Sequence, residues 1–218
     1  MSVKINSNAI AQLIAKTEDL VDSAFDINAG CEIIVKSLGA GGTLFLAGNG
    51  GSMADALHIA GELKKSFEID RNLDSKLSEN LLKFRYGKEL SENLQAGLKV
   101  TVLGSDPVLA TAIDNDIKLR HIQFAQELLA LGRSGDAILS LSTSGKSRNI
   151  IYAFTVAKAL QMSTILLTGL EPSNEMLEVT DCNIRVPATK TADVQGYHSL
   201  VYHCMCRVIE DSFYPKDL

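Results

Sequence analysis

Long hydrophobic runs are missing from this 218-residue chain. Although 46% of it is hydrophobic, no apolar stretch approaches the ~20 residues that a bilayer span requires. Blocks of Lys or Arg are missing as well. With 21 basic and 26 acidic side chains the formal net charge is -5, which argues against tracking a nucleic-acid backbone. Anionic small molecules held by backbone N–H groups stay compatible with that charge. Met1-Ser2-Val3-Lys4-Ile5-Asn6 lacks the apolar core of a signal peptide. Cysteines are few, and Cys31, Cys182, Cys204 and Cys206 show no C-x-x-C spacing; buried thiols in a cytoplasmic protein are expected. Two nucleotide fingerprints are incomplete. After Gly48 and Gly50, a G-x-G-x-x-G run would need Gly at Met53. The Gly-Lys-Ser at 145–147 has Ser140 where a P-loop needs its first Gly.

What is present begins with residues 44–62. A short apolar run, Leu44 to Ala47, passes through Gly48-Asn49-Gly50-Gly51-Ser52 into an Ala-rich helical pattern. Strand, glycine-rich turn and helix together aim free N–H groups and a positive dipole end at an anion. A ligand-free tight turn is the plainer alternative. His58 and Glu62, four residues apart on that helix, project from one face. The stretch therefore reads as a phosphate seat with a metal or acid–base pair beside it.

The length and hydrophobic content suit one well-buried domain. Ile5, Ile10, Leu13, Ile14, Leu20 and Val21 lie at helical spacing over 5–24, and a second helix is expected over 26–38. Residues 68–97 are charged, and Leu-Ser-Glu-Asn-Leu occurs at 77–81 and again at 90–94; an inserted helical arm and a solvated surface helix are both open. Strands are expected at 98–103, 136–141, 163–167 and 182–186. Helices follow the Asp106-Pro107 start, run up to Leu131, cover 149–160, begin again near Pro172 and fill about 193–213. Apolar strands alternating with helices predict an α/β fold: a five-stranded parallel sheet flanked on both faces.

Ser142-Thr143-Ser144-Gly145-Lys146-Ser147 falls between a strand and a helix, where open parallel sheets bind ligands. Four hydroxyls in six residues exceed what a helix cap needs, so they read as a second set of phosphate donors. On the last helix Gln195, His198 and His203 are taken to share a sector of roughly 100°. His121, in a charged helical stretch, reads as structural.

Taken together, Gly48-Asn49-Gly50-Gly51-Ser52, His58, Glu62, the Ser/Thr run at 142–147, Gln195 and His203 resemble the SIS (sugar isomerase) domain. Within it they resemble the phosphoheptose isomerases. The resemblance covers nearly the whole chain outside 68–97. It implies aldose–ketose isomerisation of sedoheptulose 7-phosphate, with Glu62 and His203 flanking the reacting carbons and the Ser/Thr loop, with Asn49, Gly50, Gly51, Ser52 and Gln195, holding the substrate. It further implies zinc on His58, Glu62, Gln195 and His203, a substrate-side Asp116 in an Asn115-Asp116 pair, and a homotetramer. Two features depart from the family: the arm is long, and Asp193 stands where many relatives carry Arg. A non-enzymatic branch that binds a replication initiator keeps the same fold, and the tail Cys204 to Asp211 is similar to it.

Overall fold

The computed structural model describes residues 8–214; Ile5 and the other residues of the 1–6 segment lie outside them. The first expected helix is broken in two. Helix α1 covers Asn8–Lys16, a 3-10 turn follows over Glu18–Ser23, and α2 covers Ala24–Gly39. Thr17 sits between them with φ -144 and ψ 78, and the acidic pair Glu18-Asp19 after a Thr is a start signal that 3.6-residue periodicity ignores.

Five strands follow: β1 Leu44–Gly48, β2 Val100–Val102, β3 Ala137–Ser142, β4 Ser163–Thr168 and β5 Cys182–Arg185. They form one sheet in the order β2-β1-β3-β4-β5, and each neighbouring pair is parallel. Every residue of β1 and β3 is buried, so both faces need apolar cover and alternation disappears. Successive side chains serve different cores. Leu44, Leu46, Leu139, Leu141, Ile165 and Ile184 pack with α1, α2, α3 (Gly51–Lys64) and α10 (Thr191–Phe213). Phe45, Ala47, Ile138 and Leu166 pack instead with α7 (Gln123–Leu131), α8 (Arg148–Ala159) and Met176 of α9 (Asn174–Leu177).

The charged stretch contains two short helices, α4 (Ser75–Leu81) and α5 (Gly87–Asn93), and only Gly87 of them is buried. Each Leu-Ser-Glu-Asn-Leu copy ends one of these helices. They meet where a Cβ on Gly87 would lie 1.6 Å from the Leu81 carbonyl oxygen. The base is closed by the Ala96 amide donating to the Arg71 carbonyl at 2.8 Å. Helix α6 (Pro107–Asp116) starts on Asp106, whose carboxylate accepts from the amides of Val108 and Leu109. All four cysteines are buried and free, and burial pushes each thiol up. No helix among the described residues is long and apolar enough to cross a membrane.

Candidate active site

The strand order reverses at β1: the chain goes from β1 outward to β2, then returns to the other side of β1 with β3. Doubly wound sheets bind ligands at such a point, outside the carboxyl ends of the strands. Here it brings the β1–α3 turn and the β3–α8 loop together. Asn49 and Asn149 bridge them reciprocally, each amide donating to the other's oxygen at 3.1 and 2.7 Å. Gly48 is required by close approach, because a Cβ there would fall 2.3 Å from the Ser52 carbonyl oxygen. Gly50 is the N-cap of α3 with φ 56, and no side chain caps that helix. Ser52 is buried at the first turn. The amide of Gln195 lies against Gly51, where a Cβ would meet its Nε2 at 2.2 Å.

Across the crevice, Ser142 Oγ is 3.1 Å from Ser147 Oγ and accepts from the Gly145 amide at 3.2 Å. Ser144 is exposed and accepts from the Lys146 amide, while Thr143 is half-buried. Ser147 stands at the N-cap of α8 but makes no side-chain cap bond, so the first amides of that helix face the loop without a side-chain acceptor. Gly145 has φ +60, and a Cβ would strike Pro172 at 2.5 Å. Beneath the loop, Thr168 pairs with Ser142 in the β3–β4 register, and its buried hydroxyl has no partner.

Helices α3 and α10 lie side by side and run the same way. Gln195 meets Gly51 at one end, and further along Tyr202 and His203 meet His58. His58 Nε2 is 3.1 Å from Glu62 Oε1, and its Nδ1 is 3.2 Å from the Tyr202 hydroxyl. The His58 and His203 rings stand edge to face with centroids 5.0 Å apart. His203 Nδ1 lies 2.7 Å from the Ser199 carbonyl oxygen, so Nδ1 carries a hydrogen and Nε2 is left for exchange. Phe67 stacks on His203, with centroids 6.1 Å apart and ring planes at 26°.

Two members of this cluster escaped sequence reasoning. Asp55 hydrogen-bonds to Tyr202; burial pushes its carboxyl up, against the hydrogen bond from Tyr202 and the nearby His58 and His203. Positions 55, 58 and 62 have the 3-and-4 spacing of one helix face, which was the available signal for Asp55. Tyr202 carried none beyond its place beside His203.

Other expected residues stand apart. A helix turns ~100° per residue, so His198 and His203 lie on opposite sides of Gln195, about 140° apart. His198 is accordingly turned inward and buried at 0% exposure. Asp116 ends α6 and accepts from Asn115 at 2.8 Å on an exposed surface; no hydrogen bond joins it to the crevice among the described residues. His121 is exposed with φ 69 in the turn after α6, rather than in a helix.

The expected zinc donors do not converge as arranged. Among the described residues no group of three or more His, Cys, Asp or Glu is placed to hold a metal ion. Both His58 nitrogens are occupied, by Glu62 and Tyr202. Gln195 is turned to Gly51, and its Cα is about 12 Å from that of His203 along the helix.

Residues 8–80 match the SIS domain family. The phosphoheptose isomerase of Shewanella sediminis (strain HAW-EB3) is 33% identical over 213 residues, 97% of this chain and 94% of that protein. That of Burkholderia pseudomallei (strain 1710b) is 36% identical over 182 residues, 84% of this chain and 79% of that protein. Two solved structures share the fold over most of both chains. A phosphoheptose isomerase from Francisella tularensis has a TM-score of 0.69 at 25% identity, covering 92% of this chain and 97% of that one. The phosphoheptose isomerase of Neisseria gonorrhoeae has a TM-score of 0.68 at 29% identity, covering 94% and 93%.

Proposed function

The chain belongs to the SIS-domain family of phosphoheptose isomerases, and from that premise we propose that it converts sedoheptulose 7-phosphate to D-glycero-D-manno-heptose 7-phosphate through an enediol. The observation that carries the reading is the Glu62–His58–His203 cluster on two parallel helices, set beside an anion seat built of hydroxyls and helix N-termini. The phosphate is held by Ser142, Thr143, Ser144 and Ser147 with the open amides of α8, and the Gly50-Gly51 amides at the start of α3 complete the cradle. Neutral donors suffice, so an acidic chain can bind an anion there.

Isomerisation needs one group to carry a proton between adjacent carbons and another to manage the oxygen protons. Glu62 takes the carbon-bound proton and returns it to the neighbouring carbon. His58 orients that carboxylate through Nε2 and is itself held by Tyr202 through Nδ1. His203, its Nδ1 committed to the Ser199 carbonyl, exchanges a proton with the substrate oxygen through Nε2. Zinc is given no step, because the donor set His58, Glu62, Gln195 and His203 does not meet at one point. The chain acts as one SIS domain, with 1–40 as its N-terminal segment, carrying α1 and α2, and 68–97 as an inserted arm. It works as a cytoplasmic homotetramer, for which four buried free thiols suit a reducing compartment. A monomeric mass by light scattering at micromolar concentration contradicts that assembly.

The competing reading, a non-catalytic SIS binding protein, gives up the acid–base pair, whereas Glu62 and His203 are both present. Incubation with sedoheptulose 7-phosphate decides the matter. An aldoheptose phosphate product is expected, and unchanged ketose overturns the reading.

A further inference from the structure

Beyond Glu62 the chain leaves α3 and, within ten residues, buries an arginine. Arg71 is 1% exposed, and so is its partner Glu210 near the end of α10. Arg71 Nε and Nη2 both reach Glu210 Oε1 at 2.7 Å. The same guanidinium donates through Nη2 to the Glu62 carbonyl at 3.1 Å and through Nη1 to the Leu63 carbonyl at 2.8 Å. Glu210 in turn accepts the amides of Phe67 and Glu68, each at 2.9 Å. We propose that Arg71 and Glu210 are positioning residues, which set Glu62 and His203 against each other for proton transfer.

The geometry ties both partners to one fork. On one side it grips the main chain of Glu62 itself, in the last turn of α3, where carbonyls lack helical partners. On the other, Glu210 lies seven residues beyond His203, two turns along the same face of α10. Through the Phe67 amide it also fixes the ring that stacks on His203. Stability alone gives a poor reason for this arrangement. Burying an ion pair has a desolvation cost that apolar side chains of similar volume avoid, and such replacements are often neutral or stabilising. What apolar side chains cannot do is bind two carbonyls and two amides in fixed directions, as a planar guanidinium and a carboxylate do. Displacement by about 1 Å is enough to cost on the order of 10²-fold in rate.

This inference rests on the isomerase reading, and its test separates the two. In Arg71→Met/Glu210→Met, which keeps volume and removes both charges, kcat for sedoheptulose 7-phosphate should fall about 100-fold. KM should stay within about threefold, because the phosphate seat is at the other end of α3 and α10, and the protein should stay folded. Arg71→Lys, with charge but no fork, should still lose at least about tenfold in kcat. A folded double variant with wild-type kcat overturns the proposal. If the double variant does not fold, Arg71→Lys and Glu210→Gln take its place, and wild-type kcat in both overturns it equally. If the wild type shows no turnover, the isomerase reading fails, and positioning is then judged from the imidazole nitrogen resonances of His203, identified by their loss in His203→Gln. A shift in Arg71→Lys supports the proposal, and superimposable resonances overturn it.

Discussion

Replacing Ser147 with alanine separates a ligand donor from a helix cap, because the structure assigns its hydroxyl an unusual place. Ser147 is the N-cap of α8, yet its Oγ caps nothing and instead meets Ser142 Oγ at 3.1 Å. When it is removed, Ser142 still accepts from the Gly145 amide at 3.2 Å, so no buried hydroxyl is orphaned. The folded state loses one neutral hydrogen bond, about 0.5–1.5 kcal/mol, or roughly 1–6 °C in Tm for a chain of this size. A bound phosphate loses a hydrogen bond to a charged group, about 1.5–3 kcal/mol, so affinity should fall roughly 10- to 150-fold. Titration calorimetry with sedoheptulose 7-phosphate, in a Glu62→Gln background that prevents turnover, reads the second number. Scanning calorimetry without ligand reads the first. Ser144→Asp should go further and abolish competition by inorganic phosphate, since a carboxylate then faces the anion. A Ser147→Ala protein that is severely destabilised but binds at wild-type affinity would show the hydroxyl to be a structural cap and the reasoning to be wrong.

Three other outcomes are expected. Glu62→Gln and His203→Gln should each lower kcat by about 10²–10⁴-fold with Tm nearly unchanged; wild-type steady-state rates in either would remove that residue from the mechanism. Gly48→Ala should lower Tm and sugar-phosphate affinity together, because its Cβ would lie 2.3 Å from the Ser52 carbonyl oxygen and the turn that aims the α3 amides must open; a variant with both values unchanged refutes that dependence. His198 should impose a pH dependence on stability: burial lowers its pKa to about 4, with the backbone of Thr168 offsetting part of the effect. Between the ordinary histidine value and about 4 the unfolded chain binds a proton that the folded chain refuses, so stability is full above pH ~6.5 and falls as pH drops, by about 2 kcal/mol at pH 5. Urea midpoints for wild type and His198→Leu should therefore diverge from pH 7 to pH 5, and parallel midpoints would contradict the assignment.

The sheet and the two turns at the ends of β1 and β3 were legible because they are local. Wholly apolar runs such as Leu44–Ala47 can only be buried on both faces, and glycines and hydroxyls at strand ends announce turns before helices. The broken first helix was not legible from periodicity, since Thr17-Glu18-Asp19 interrupts a pattern that its apolar residues continue. His198 was misplaced by the same reasoning that found His203: five residues of helix carry a side chain ~500°, which brings one ring to the sheet and the other to α3. Arg71 and Glu210 lay out of reach for a different reason. They are separated by 139 positions, and nothing about a lone Arg in a charged stretch indicates that its fork will be buried. The Tyr202 hydroxyl is similar, because its role exists only once α10 lies parallel to α3.

That parallel placement links the phosphate seat to the chemistry. Under the proposed function, α3 uses its N-terminus for the anion and its flank for His58 and Glu62, and α10 supplies Gln195 and His203 in the same order. His58 and Glu62 lie seven and eleven residues beyond Gly51, about 10 and 16 Å along the axis. An extended seven-carbon sugar phosphate is about 10 Å from phosphorus to its first carbon, taking C–C bonds near 1.5 Å. A phosphate seated at the helix N-termini therefore brings the carbonyl end of such a chain up to the His58 turn, where Glu62 and His203 flank it. A three-carbon sugar phosphate on the same seat, about 5 Å from phosphorus to its first carbon, ends about 5 Å before the His58 turn. Under the proposed function, the span between seat and acid–base pair selects for chain length before any hydroxyl is recognised, and the residue count along α3 sets it.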